Sequence, residues 1–149
     1  MLKITIEDIQ LNDVQPLGYM RLPSYAVLFQ SSLVSGWARF VPARDNPLGY
    51  VGETLQVEVN QESTSQFVHS STASEALVTP LATLGDYRIR GTIASIDSIS
   101  DPPDGFTVVI SVGETAFCLS HLDIDRRNLS VGATIEFTAH EVSLWDEEI

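Results

Sequence analysis

The sequence predicts an all-β protein written twice: two small antiparallel β-units in tandem, packed together. Three observations predict it. Residues 51–59 read VGETLQVEV and residues 131–139 read VGATIEFTA, each a Val-Gly leading into apolar–polar alternation. Upstream, SYAVLFQ (24–30) matches GFTVVIS (105–111), at nearly the same distance from the Val-Gly in each half. Throughout, apolar residues recur with the period of two that a half-buried strand requires, and helix signals are sparse. A single two-sheet β-sandwich holding both halves is the alternative architecture.

Taken in order, LKITIEDIQL (2–11) is a long first strand that changes parity: Ile4 and Ile6 share one face, Ile9 and Leu11 the other. An inserted residue does this by making a bulge or bend. The run 24–30 puts Tyr25, Val27 and Phe29 on one face and starts a two-strand hairpin. A loop with Arg44, Asp45 and Asn46 leads to Val51-Gly52 and the short strand LQVEVNQ. Residues 63–86 are expected as a Ser/Thr-rich connector. In it Thr72 and Glu75 suit a capping box for a short helix, or ALVTPL (76–81) forms an edge strand with Pro80 facing solvent.

The second copy repeats the scheme. YRIRGTIASIDSI (87–99) shifts parity between Ile93 and Ile96, with Gly91 expected to permit the bend. SISDPPDG (98–105) is a turn, and Phe106, Val108 and Ile110 face one way. The VGET at 112–115 duplicates residues 51–54 but lies between two apolar runs, where Gly113-Glu114 suits a two-residue hairpin turn rather than a third copy. Arg126, Arg127 and Asn128 stand where Arg44 to Asn46 stood. ATIEFTAHEVSLW (133–145) makes one bent strand or two. The expected units are therefore residues 1–62, the connector 63–86, and residues 87–149.

That order of strands, with a connector after the third and L-x-V-G entering another, resembles an OB-like barrel. The resemblance covers about 60 residues of each half and has no family-specific motif. Measured against it, the first copy is short of a final strand. It is either incomplete or borrows one from the region that follows.

With 149 residues and 44% hydrophobic side chains, the chain can bury a core. No apolar run reaches the roughly 18 residues of a membrane span, and MLKITIEDIQ lacks the order of a secretory signal. No membrane association and a cytoplasmic location are the expectations. The single cysteine, Cys118, excludes an internal disulfide and is expected as a small buried thiol. The net charge is −12, heavier in the second half. Such a surface repels phosphate backbones unless cations cluster locally, so nucleic acid is not the expected partner.

Chemistry-bearing motifs are few. Cys118 and His121 lie on opposite faces of an extended strand, His69 and His140 belong to no metal-ligand spacing, and no cofactor or metal is expected. Ser120, His121 and Asp123 are the residue types of an acyl-transfer triad, but neighbours on a strand point apart, and no G-x-S-x-G elbow exists. Asp123 and Asp125 lack the glycine and terminal glutamate of a calcium loop. Phosphate-binding glycine loops are absent.

An enzyme is therefore the least expected class. The first expectation is a non-catalytic binding protein of the inhibitor or immunity type that recognises a partner with a basic surface. The candidate contact is the C-terminal Trp145, Asp146, Glu147 and Glu148, an apolar anchor beside negative charge. The alternatives are an OB-like barrel for single-stranded nucleic acid or oligosaccharide, using Arg39, Arg44, Arg126 and Arg127 with aromatics such as Trp37, and a scaffold pairing through strand edges.

Overall fold

The computed structural model describes residues 1–69, 76–98, 105–120 and 125–149. The expected capping box at Thr72 and Glu75, most of the turn at 98–105, and His121 and Asp123 lie outside them. The described chain is all-β. Its strands are β1 (Leu2–Leu17), β2 (Leu22–Ser31), β3 (Ser35–Val41), β4 (Thr54–Asn60), β5 (Ser63–His69), β6 (Leu77–Pro80), β7 (Tyr87–Ser98), β8 (Phe106–Val112), β9 (Thr115–Ser120), β10 (Thr134–His140) and β11 (Ser143–Asp146). Short 3-10 turns, Pro47–Tyr50 and Arg126–Asn128, precede β4 and β10. No helix among the described residues is long and apolar enough to cross a membrane.

The two halves are built alike. Gly52 donates its N–H to Ile6 O at 2.7 Å, and Gly132 donates to Ile93 O at 2.8 Å. Both glycines have positive φ, 83° and 91°, which side chains with a Cβ resist. β1 pairs β4 antiparallel as β7 pairs β10. The parity change in each first strand is a bulge at the same place: the β1–β2 register slips between Ile6 and Asp8, the β7–β8 register between Ile93 and Ser95. The extra residues are Glu7 and Ala94, so Gly91 does not make the bend. It serves packing instead, because a Cβ there would stand 2.6 Å from Ser111 O and from Ile110 Cγ2. Gly113 (φ 58°) opens the two-residue β8–β9 turn as expected.

The halves nevertheless do not close on themselves. Five strands form a closed barrel in the order β1-β2-β3-β11-β4, so its last strand comes from the C-terminus. β11 runs parallel to β3 and antiparallel to β4. Conversely β5, which follows the first copy and was expected as connector, pairs with β10 of the second copy. The second sheet is ordered β5-β10-β7-β8-β9, with β6 against β7. The two crossovers are equivalent: Ser143 sits opposite Asn60, and Ser63 sits opposite His140. Each half hands its final strand to the other, so the first copy's missing strand comes from the C-terminal segment and not from the region directly after it. The connector region also supplies the edge strand β6.

Burial follows the alternation. Val27, Phe29, Phe40 and Leu144 fill the barrel, and Ile89, Ile110, Leu119, Ile135 and Phe137 line the second sheet, in one continuous core. Phe29 and Tyr87 meet across the seam with ring centroids 6.4 Å apart. Cys118 departs from expectation. It is exposed on β9 between buried Phe117 and Leu119, on the opposite parity.

Candidate functional site

Strand exchange and a long β1–β2 arm create three polar features on this scaffold. The C-terminal corner comes first. Leu144 points into the barrel, so the neighbouring Trp145 faces outward, where Nε1 donates to Ser143 Oγ at 2.9 Å. Its indole packs closely on Gly18, where a Cβ would lie 3.0 Å from Trp145 Cη2. Trp145 thus seats the tip of the arm.

Asp146 is buried and accepts from Tyr50 Oη at 2.6 Å. The same phenol oxygen accepts from the N–H groups of Ala43 and Arg44, at 3.0 and 3.1 Å. Burial, then the bond to Asp146, push the Tyr50 phenol above its ordinary range. Glu147 and Glu148 are exposed, and with Arg44 and Glu53 they line a hollow of about 280 Å³. Of the four expected contact residues, two therefore hold structure and two face solvent.

The four arginines expected for nucleic acid are dispersed in role. Arg39 is only 7% exposed. Its guanidinium donates to Ser24 Oγ (3.1 Å), to Asp13 O (2.9 Å) and to Ser24 O, and pairs with Asp13 Oδ2 at 3.2 Å. A buried cation needs that many acceptors, and here they tie the arm to β3. Arg44 lies 3.9 Å over the Tyr50 ring and pairs with Glu53 at 2.7 Å. Arg127 pairs with Asp125, whose carboxyl it holds below the usual range, and Arg126 donates to Ser98 Oγ.

The second feature is an open cleft of about 540 Å³ between the arm, the outer face of β2–β3 and the 81–86 loop. Trp37, Pro80, Leu84 and Tyr87 make its apolar walls; its acidic residues are Asp13, paired with Arg39, and Asp86, which contacts His140. Among the described residues, no Lys, Arg or His lines it. The loop is shaped by Leu81 N–H donating to Asp86 O (2.9 Å) and is clasped to the crossover by Val142 N–H donating to Gly85 O (2.8 Å). Tyr87 Oη donates to Trp37 O at 2.8 Å, and Gly36 must be bare because a Cβ there would meet that hydroxyl at 2.6 Å. Burial pushes the Tyr87 phenol well above its ordinary range.

The third feature lies on the outer face of the second sheet, where Ser65, His140 and Asp86 form a hydrogen-bonded row. Sequence reading missed both this row and the cleft. The row joins residues up to 75 positions apart and the cleft draws on segments from Gln10 to Tyr87, and tertiary pairing brings them together. Among the described residues, no group of three His, Cys, Asp or Glu side chains is arranged to hold a metal ion. Compared with protein-family models, with curated proteins and with solved structures, the chain matches none.

Proposed function

We propose that this protein is an acidic binding module that engages a partner protein through a basic side chain inserted into the cleft. The observation that carries the reading is the composition of that cleft: a tryptophan, apolar walls and two carboxylates, of which Asp13 is paired with Arg39 from behind, with no cation among its described lining residues, in a chain of net charge −12. Its volume falls in the range that encloses an inserted group. An arginine or lysine of the partner would lay its stem against Trp37 and Leu84 and its charge toward Asp86. The wider negative field would speed the encounter. Strand order β1-β2-β3-β11-β4 supports an OB-like reading of the barrel. The commitment of Arg39 to Asp13 and Ser24 weighs against the nucleic-acid alternative.

Calorimetric titration with an oligo-arginine peptide tests it, with oligo-glutamate and oligo-dT as controls. Binding of the basic peptide, weakened by salt and by Trp37→Ala, is expected. Equal binding by Trp37→Ala, or retention of oligo-dT in its place, overturns the reading.

A further inference from the structure

His140 stands between a hydroxyl and a carboxylate. Its Nε2 lies 2.6 Å from Ser65 Oγ, and its Nδ1 lies 3.2 Å from Asp86 Oδ2. Asp86 is itself fixed, since its Oδ1 accepts the Glu141 N–H at 3.1 Å. The strand register brings this about. Ser63 pairs with His140 and Ser65 with Thr138, so the imidazole reaches the serine diagonally across β5–β10. Asp86 precedes Tyr87, the residue of β7 opposite Ala139, and so lies on the other side of His140.

Two further observations concern Ser65. The β5–β10 ladder carries a bulge directly after it, with Gln66 at φ 52°, and bulges re-aim neighbouring side chains. Arg88 reaches across β10 to the same spot: its Nη1 donates to Thr138 Oγ1 at 3.1 Å and to Gln66 O, the carbonyl of the residue after Ser65, at 2.8 Å. The guanidinium is thus held near the β5 bulge, its other terminal nitrogen pairing with Glu136 Oε2 at 3.6 Å. Both nitrogens of the imidazole are engaged, one toward the hydroxyl and one toward a carboxylate; with the proton on Nδ1 this is the arrangement that nucleophilic catalysis needs.

We infer that Ser65, His140 and Asp86 form an acyl-transfer site that accepts small acyl esters. Ser65 Oγ attacks the ester carbonyl carbon while its proton passes to His140 Nε2. The electron pair of the carbonyl moves onto its oxygen. Collapse of that intermediate expels the alkoxide, which takes the proton from His140 and leaves Ser65 acylated. Water then attacks the acyl-serine, gives its proton to the imidazole, and releases the acid as Ser65 regains its hydrogen. Asp86 touches no reacting atom and is a positioning residue, holding the imidazole by Nδ1. Because Ser65 is exposed, the site suits a small acyl group that needs no enclosing pocket.

The test is covalent labelling of the intact protein with diisopropyl fluorophosphate, mapped by peptide mass spectrometry, alongside hydrolysis of p-nitrophenyl acetate. Label on Ser65 is expected, with hydrolysis falling about 100-fold in Ser65→Ala and in His140→Ala. Asp86→Asn should slow labelling while leaving the final stoichiometry at Ser65 unchanged, which loss of fold would not do. Absence of label on wild-type Ser65, or hydrolysis by folded Ser65→Ala at the wild-type rate, overturns the proposal. Asp86 belongs to both the cleft and this row, but label on Ser65 and the Trp37→Ala titration read different residues, so either can fail without the other.

Discussion

Tyr50 and Asp146, 96 residues apart in the chain, share a buried hydrogen bond of 2.6 Å that locks the C-terminal strand to the 3-10 turn before β4. The tyrosine ring also packs edge-on against Phe40 at a centroid distance of 4.9 Å, inside the same barrel. A borrowed strand of four residues has little pairing of its own, so this bond and the burial of Leu144 hold it in place.

Removing either partner should therefore be costly. Asp146→Ala leaves the phenol hydroxyl buried without an acceptor, and Tyr50→Phe strands the carboxylate and two backbone N–H groups. Each is expected to lose about 1–3 kcal/mol in urea unfolding. The double variant should lose less than the sum, because both single changes break the same bond.

Deleting residues 143–149 should open the barrel while sparing much of the second sheet. β3 and β4 would each lose their β11 neighbour, and Phe40 and Val59 would lose Leu144. Hydrogen exchange should show loss of protection in β3 and β4, with protection retained in β8, whose partners among the described residues are β7 and β9.

The repeat itself makes a sharper prediction. Gly52 and Gly132 occupy the same positive-φ turn, and each has open space where a Cβ would go. Gly52→Ala and Gly132→Ala should then destabilise by similar amounts, about 1–2 kcal/mol each, from backbone conformation alone. Gly91→Ala should exceed both. There the added carbon meets Ser111 O, and a backbone oxygen in the middle of a sheet has nowhere to go. Thermal or urea unfolding of the three variants orders them.

Much of this architecture is legible in the residues. The matched Val-Gly turns, the parity slips at Glu7 and Ala94, and the Gly113-Glu114 hairpin all follow from local alternation and turn chemistry. Which of the two units, barrel or second sheet, receives β5 and β11 does not. Both demand the same alternation from a last strand, and a link of two residues leads equally well to either, so local sequence cannot choose. The site fares likewise. Asp146 reads as one more acid in a solvated tail until Tyr50 arrives from the other half, and Arg39 reads as a free cation until Asp13, in a second β1 register shift between Gln10 and Val14, pairs with it. Ser65, Asp86 and His140 belong to three separate strands or loops, and nothing in their spacing marks them as neighbours. Cys118 fails for a simpler reason: one residue of parity decides between core and solvent.

Alkaline pH should loosen the seam between the halves through Tyr87. Its hydroxyl donates to Trp37 O across that seam, and the ring packs near Phe29. Burial raises the folded-state pKa of this phenol, so the folded protein holds the proton at pH values where the unfolded chain releases it. The unfolded state then binds fewer protons, and stability falls as pH rises. The contribution is fully present below the ordinary tyrosine value, about 10, and drains away above it. Tyr50 acts in the same direction, raised first by burial and then by its bond to Asp146. Urea midpoints measured from pH 8 upward should hold steady and then drop above roughly pH 10. Tyr87→Phe should lower stability near neutral pH, because the Trp37 carbonyl loses its donor, yet show a shallower alkaline fall. A variant with the wild-type slope would mean that another group governs the loss.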